Sequence, residues 1–288
     1  MLSALIQLAR PKDWVKNIFV ILPVPFALAA EANRVDWAMF ALGLFGFCLI
    51  NSAVYVLNDL RDSEADRLHP RKRNRPIASG RVSRPAAVAE MTVLLYAGLA
   101  ASFFTGKPLA LFYAGVYLII NLFYSLGMKN IPLMDVFMLS SGYVIRVLLG
   151  CALVAAAPSP WLLLCTGTLA LFLGFAKRRA DLSEQLGADH RASLRGYDKT
   201  FLDGAVSICA GVAMLAYALY CIEKIGELRP GREMASMPFV AYGILNYLRM
   251  AHVEGVGGSP VEVAYRSISM QICGACWLAS VTWSLGLW

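Results

Sequence analysis

The chain has 288 residues, 58% of them hydrophobic and only 16% charged, with a mean hydropathy of +0.59. Soluble domains run near half apolar and a quarter charged, so this composition excludes an ordinary soluble globule and points to a lipid bilayer as solvent. The net charge of +7 lies in loops between apolar runs, which reads as membrane topology and anionic substrates, with no nucleic acid as partner.

The first residues, Met1 to Trp14, hold an apolar stretch too short for a cleavable signal, so insertion is expected to use the first long span. A membrane-spanning helix takes about 20 mostly apolar residues. Nine candidates follow in order, at roughly 15–31, 37–58, 86–104, 108–127, 132–154, 160–177, 203–224, 236–252 and 268–287. Short connections bearing Pro or Gly, such as Gly106-Lys107-Pro108, separate several of them. Three connections are long: 59–85, 178–202 and 253–267.

With nine spans, the N-terminus and the long loops share one side, which then carries twenty of the 26 Lys and Arg. Arg34, Lys107, Lys224, Arg229 and Arg232 fall on the other side, and Arg146 alone lies inside a span. By the positive-inside rule the N-terminus and long loops are cytoplasmic and the C-terminus is outside. Trp14 and Trp288 are expected to act as interfacial anchors. The seven cysteines sit in apolar stretches at no framework spacing, which argues against disulfides. Cys273 and Cys276 form a CxxC inside a greasy helix and read as small buried residues.

After the second span comes Asn51-Ser-Ala-Val-Tyr55-Val-Leu-Asn58-Asp59-Leu-Arg61-Asp62-Ser-Glu64-Ala-Asp66-Arg67. Asn58, Asp62 and Asp66 recur every four residues, and Asp59 lies three before Asp62, so these side chains share one helix face. Like charges at that spacing repel. A row of carboxylates growing out of a membrane span needs a cation, and Mg²⁺, which takes oxygen ligands together with substrate phosphates, suits it.

The segment NDLRDSEAD resembles the NDxxDxxxD signature of UbiA-type intramembrane prenyltransferases. His69-Pro70-Arg71-Lys72-Arg73-Asn74-Arg75-Pro76 and the long loops after spans 2 and 6 are similar to the same superfamily. The resemblance covers essentially the whole chain. It implies an all-α polytopic fold of about nine helices around a central cavity open to the cytoplasm, formed by a single transmembrane domain over 1–288. It further implies that Asn58, Asp59, Asp62 and Asp66 hold Mg²⁺ and a diphosphate.

A diphosphate also wants positive charge. Lys72, Arg73 and Arg75 follow the aspartates, and Lys129 follows Tyr124-Ser125 in a stretch that resembles the family's YSxxxK element. Together they read as phosphate clamps. Arg146 is costly in an apolar span and is expected to face a polar site. His69, beside the basic loop, reads as structural.

The segment after span 6 separates subclasses. Isoprenyl-diphosphate enzymes of the family carry a second acidic row there. This chain has Lys177-Arg178-Arg179-Ala180-Asp181-Leu182-Ser183-Glu184, three consecutive cations in its place. That departure, with Arg10-Pro11-Lys12-Asp13-Trp14-Val15-Lys16-Asn17, resembles the decaprenyl-phosphate phosphoribosyltransferase branch. The resemblance implies transfer of 5-phosphoribosyl from 5-phosphoribosyl 1-diphosphate to a polyprenyl phosphate, as in synthesis of cell-wall arabinan precursor lipids at a bacterial plasma membrane. It implies catalytic roles for Asp59, Asp62, Asp66, Lys129 and Arg146. Substrate contacts would come from Lys16, Asn17, Asn51, Tyr55, Asn58, Lys72, Arg73, Arg75, Tyr124, Lys177, Arg178 and Asp181. Tyr247 and Arg266 share the cytoplasmic side and a looser likeness. Arg10, Lys12 and Lys16 also read as plain interfacial anchors. A homo-oligomer is compatible with the sequence. Two other readings stay open: an isoprenyl transferase acting on an aromatic or glycerol-phosphate acceptor, and a non-enzymatic membrane transporter or lipid-binding protein.

Overall fold

The computed structural model describes residues 2–29, 35–68, 72–183, 192–223, 228–253, 263 and 266–287. His69, Glu184 and Trp288, singled out from the sequence, lie outside the described residues. Among the described residues every regular element is helical. The α-helices are α1 (Leu2–Ala9), α2 (Val24–Ala29), α3 (Trp37–Leu68), α4 (Arg84–Phe104) and α5 (Pro108–Leu126). They continue as α6 (Met134–Leu153), α7 (Pro160–Ser183), α8 (Lys199–Glu223), α9 (Met237–Val253) and α10 (Ile268–Ser284).

The starts of these helices follow from their sequence. The Asp36 carboxylate accepts the Ala38 and Met39 backbone N–H groups at 3.1 Å ahead of α3. Ser83 caps α4, and Asp198 accepts the Phe201 N–H at 2.6 Å to open α8. Each supplies an acceptor for N–H groups that the first turn leaves unsatisfied. Pro108 and Pro160 stand at the first position of α5 and α7, where a missing N–H costs nothing.

Among the described residues six helices, α3 to α8, are long and apolar enough to cross a membrane, where the sequence suggested nine spans. Helices α9 and α10 have 17 residues each. The expected span 15–31 is not one helix: a 3₁₀ stretch covers Pro11–Val20, a turn follows, and α2 begins at Val24. Pro23 and Pro25 explain the break, since neither can donate to a carbonyl one turn back. Two expected loop boundaries also move. Helix α3 runs ten residues past 58, and α7 runs to Ser183.

The chain divides into two compact units. The first holds Met1–Val24, Asn33–Met128 and Ile145–Ala157; the second holds Pro25–Ala32, Lys129–Val144 and Pro158–Trp288. Helix α6 gives its first half to the second unit and its last half to the first. Within the first unit, α3 and α4 meet at glycines. A Cβ on Gly98 would come within 2.7 Å of the Gly46 carbonyl, and one on Gly46 within 2.9 Å of the Gly98 carbonyl. Small residues let membrane helices approach this closely. Ala4 and Leu8 of α1 pack with Val56, Leu60, Ile77, Val82 and Ala87. In the second unit α7 and α8 form the main pair, around Phe172, Phe175, Leu202, Val206 and Tyr247. All seven cysteines are free thiols.

Candidate active site

The acidic row lies on the last turns of α3, in the first unit. Asp59 and Asp66 are buried, at 2% and 4% exposure, while Asn58 and Asp62 are half-buried. Buried carboxylates are costly unless compensated, and two arginines compensate these. Arg10 Nη2 stands 2.6 Å from Asp59 Oδ1. Arg75 Nη1 reaches the same oxygen at 3.0 Å and Asp66 Oδ2 at 2.7 Å. Asp59 Oδ2 is buried with no hydrogen-bond partner among the described residues. Asn58 accepts a hydrogen bond from Ser125 of α5.

One turn toward the membrane, Tyr55 receives two cations. Lys16 Nζ donates to its hydroxyl at 3.2 Å and to Asp13 at 2.6 Å. Arg10 and Lys16 lie 5.2 and 5.4 Å from the Tyr55 ring centre. Arg10, Lys16 and Asn17 sit on or beside the 3₁₀ stretch, so the bend that interrupts the first expected span delivers them to α3.

Deeper still is Arg146, buried on the second half of α6. Its Nε donates to Asn17 Oδ1 at 2.9 Å and its Nη2 to Asn51 Oδ1. Tyr117 of α5 donates to the same Asn51 oxygen at 2.9 Å. The guanidinium also stands over Tyr117 and Phe47, 5.0 and 5.5 Å from their ring centres. The structure therefore joins Asn17, Asn51 and Arg146, three residues expected at the site. Tyr117 and Phe47 were not anticipated, because an aromatic residue in an apolar helix carries no signal of its own. Trp14, expected as an interfacial anchor, donates to Ser52 on α3 at 2.9 Å.

The basic loop is partly open. Lys72 and Arg75 are half-buried and Arg73 is exposed. Tyr124 is half-buried near the end of α5. Lys129 stands in the 3₁₀ turn Met128–Asn130.

In the second unit the three consecutive cations part company. Lys177 is half-buried, but Arg178 and Arg179 are buried. Arg178 Nη1 pairs with Asp181 at 2.6 Å and Nε with Asp135 at 3.3 Å, where Arg178 is 1% and Asp135 0% exposed. Asp135 also accepts from Ser193 at 3.0 Å and Tyr197 at 2.7 Å. Tyr197 in turn accepts the Leu133 N–H at 2.6 Å. Burial first, and the hydrogen bond to Asp135 second, push the Tyr197 phenol above its ordinary range. Arg179 bonds Asp203 and the Ala251 carbonyl, and His252 lies 3.2 Å from Asp203. Arg178 and Asp181, expected as substrate contacts, are thus paired with each other, and Arg178 also reaches the Asp135 carboxylate that holds Ser193 and Tyr197. Asp135 carried a missed signal: a lone acid early in an apolar span needs a buried cation. Tyr247 is buried, with no hydrogen-bond partner for its hydroxyl among the described residues, and Arg266 is exposed.

The sequence model described as the UbiA prenyltransferase family matches residues 18–253. The chain belongs to that family. This UbiA-family chain is therefore a transferase, with helices suited to a multi-pass membrane protein. It is 34% identical over 285 residues to the decaprenyl-phosphate phosphoribosyltransferase of Corynebacterium glutamicum, covering 96% of this chain and 85% of that one. The Mycobacterium tuberculosis protein of the same name is 34% identical over 288 residues, at 98% and 94% coverage. Among solved structures, a UbiA homologue from Archaeoglobus fulgidus bound to GPP and Mg²⁺ superposes with a TM-score of 0.72 at 16% identity, covering 99% of each chain. A digeranylgeranylglyceryl phosphate synthase gives 0.70 at 21% identity, covering 99% of this chain and 98% of that one. Both likenesses concern the fold.

The acidic row of this UbiA-family chain has the donor chemistry for Mg²⁺: oxygen ligands only, including the unsatisfied Asp59 Oδ2. Among the described residues, no three His, Cys, Asp or Glu side chains are grouped to hold a metal ion. Asp59 and Asp66 hold guanidinium groups instead.

Proposed function

We propose that the chain transfers 5-phosphoribosyl from 5-phosphoribosyl 1-diphosphate to a polyprenyl phosphate, with release of diphosphate, in cell-wall arabinan precursor-type synthesis. The observation that carries this reading is the fate of the carboxylates after α7's apolar stretch. Among the described residues, Arg178 pairs with both Asp181 and Asp135, and Asp135 also accepts from Ser193 and Tyr197, so these carboxylates are engaged by a cation rather than set out as a second acidic row for an isoprenyl diphosphate. The relatives' names support the same choice.

In this reading Asn58, Asp59, Asp62 and Asp66 would hold Mg²⁺, which when bound supplies positive charge to the leaving diphosphate. Lys16, Lys72, Arg73 and Arg75 bind and orient phosphate oxygens, Arg75 as a planar fork. Below the row, Asn17 and Asn51 accept from Arg146, and Tyr117 donates to Asn51, which fixes the guanidinium's charge in place. The bond from the anomeric carbon to the diphosphate oxygen breaks, and a lipid-phosphate oxygen bonds that carbon. The ring passes through an oxocarbenium-like state, as in other glycosyl transfers. The attacking phosphate is already anionic at neutral pH, so no strong base is required. The polyprenyl tail stays among the apolar helices, with the reacting groups at the cytoplasmic rim, the N-terminus cytoplasmic and the C-terminus outside.

Purified protein given phosphoribosyl diphosphate and polyprenyl phosphate with Mg²⁺ is expected to yield a lipid heavier by one phosphoribosyl group, read by mass spectrometry. A prenylated product from isoprenyl diphosphate and 4-hydroxybenzoate, with none from the first mixture, overturns the proposal.

A further inference from the structure

We infer that Arg10 and Arg75 are exchangeable counter-ions of the acidic row, drawn off by the donor's diphosphate as the row accepts a metal. Metal and diphosphate then enter as a pair, and neither binds well alone. The inference rests on the metal role given to the row above.

The geometry is specific. Arg75 Nη1 contacts Asp59 Oδ1 and Asp66 Oδ2 together, at 3.0 and 2.7 Å. One nitrogen thus stands between two carboxylates that lie two helical turns apart, the place a cation would take. Mg²⁺ binds oxygen at about 2.0–2.1 Å, so the carboxylates must close in and the guanidinium must leave. Arg10 adds a second positive charge on the same Asp59 oxygen, at 2.6 Å, while Asp59 Oδ2 stays buried and unsatisfied among the described residues.

Both arginines can leave at low cost. Their side chains are 24% and 28% exposed, so water reaches them while they exchange partners. Their backbones stay put. The Arg10 carbonyl accepts the Asp13 N–H at 2.9 Å. The Arg75 N–H donates to the Lys72 carbonyl at 2.9 Å, and the Arg75 carbonyl accepts from the Ser79 hydroxyl at 2.8 Å. A divalent metal arriving alone would place two more positive charges beside two guanidiniums. A diphosphate arriving alone would meet buried carboxylates. Arriving together, the anion takes the arginines and the cation takes the aspartates. Coupling of this kind is reciprocal.

The test is Mn²⁺ binding by electron paramagnetic resonance on the purified full chain, at matched free Mn²⁺, with and without inorganic pyrophosphate. Pyrophosphate is expected to tighten Mn²⁺ binding at least tenfold. The Arg10→Gln, Arg75→Gln double variant is expected to bind Mn²⁺ alone at least tenfold tighter than the unmodified chain and to respond little to pyrophosphate. If the double variant does not fold, Arg10→Gln alone is expected to show the same shift at about threefold. Mn²⁺ held equally well with and without pyrophosphate, yet lost in Asp59→Asn, Asp62→Asn, sinks the counter-ion exchange and leaves the metal role standing. Mn²⁺ binding that survives Asp59→Asn, Asp62→Asn sinks the metal role itself.

Discussion

Both units set arginine against aspartate near the end of a long apolar helix, yet the two arrangements differ in their contact with water. On α3, Asp59 and Asp66 are buried while Arg10 and Arg75 keep about a quarter of their surface open. In the other unit, Arg178 of α7 and Asp135 of α6 are both sealed, at 1% and 0% exposure, and the carboxylate is further held by Ser193 and Tyr197. A half-open pair can trade partners. A sealed pair resists exchange, because each charge would have to give up compensation in a low-dielectric interior that water does not reach. The same residue types therefore stand open to exchange in one unit and sealed in the other.

The sharpest way to break this contrast is to remove a sealed charge. Asp135→Ala deletes the carboxylate shared by Arg178, Ser193 and Tyr197, and the loss is expected to be about 3–5 kcal/mol. It should appear as a large drop in Tm in detergent, with KM for the donor unchanged in protein that survives. An unchanged Tm would place Asp135 outside the scaffold. Asp62→Ala tests the open side. Turnover is expected to fall by about a hundredfold or more with Tm retained, and wild-type turnover would remove the row from the chemistry. Arg146→Met keeps the bulk and removes the charge. A loss of about tenfold, the scale of a charge-assisted hydrogen bond, is expected, with no rescue by Arg146→Lys, which lacks the planar fork. Full activity in Arg146→Met would separate the deep tier from the site.

The smallest effect belongs to Tyr197→Phe, expected to cost about 1 kcal/mol at neutral pH. The Tyr197 phenol is raised in the folded chain, chiefly by burial, so its contribution is fully present below the ordinary phenol value of about 10. That contribution fades as pH climbs above it. Tyr197→Phe should flatten the alkaline decline of Tm, and an unaltered decline would count against the buried hydrogen bond.

The α3 row was legible because helical spacing alone puts Asn58, Asp62 and Asp66 on one face. Its counter-ions were not, since Arg10 is 49 residues from Asp59 and only the packing of α1 and the 3₁₀ stretch brings it there. Lys177, Arg178 and Arg179 look like a single patch when written in line. Successive residues on a helix turn by about 100°, so Arg178 meets Asp135 while Arg179 meets Asp203. Hydropathy located the apolar segments but not where they bend. Pro23 and Pro25 were visible, yet a window average cannot register two missing N–H donors. The two moved loop boundaries have the same origin: α3 and α7 continue as helices after their hydrophobic stretches end, because a polar face does not interrupt backbone hydrogen bonding.

Helix α3 has 32 residues and so measures about 48 Å at 1.5 Å per residue, against about 30 Å of hydrocarbon. The surplus is a stalk on which the carboxylates ride, in one piece with the buried part. A change in acyl-chain length that tilts or lifts the buried part must tilt or lift the stalk with it. Host-membrane thickness thereby becomes a setting on the distance between the carboxylates and the headgroup layer.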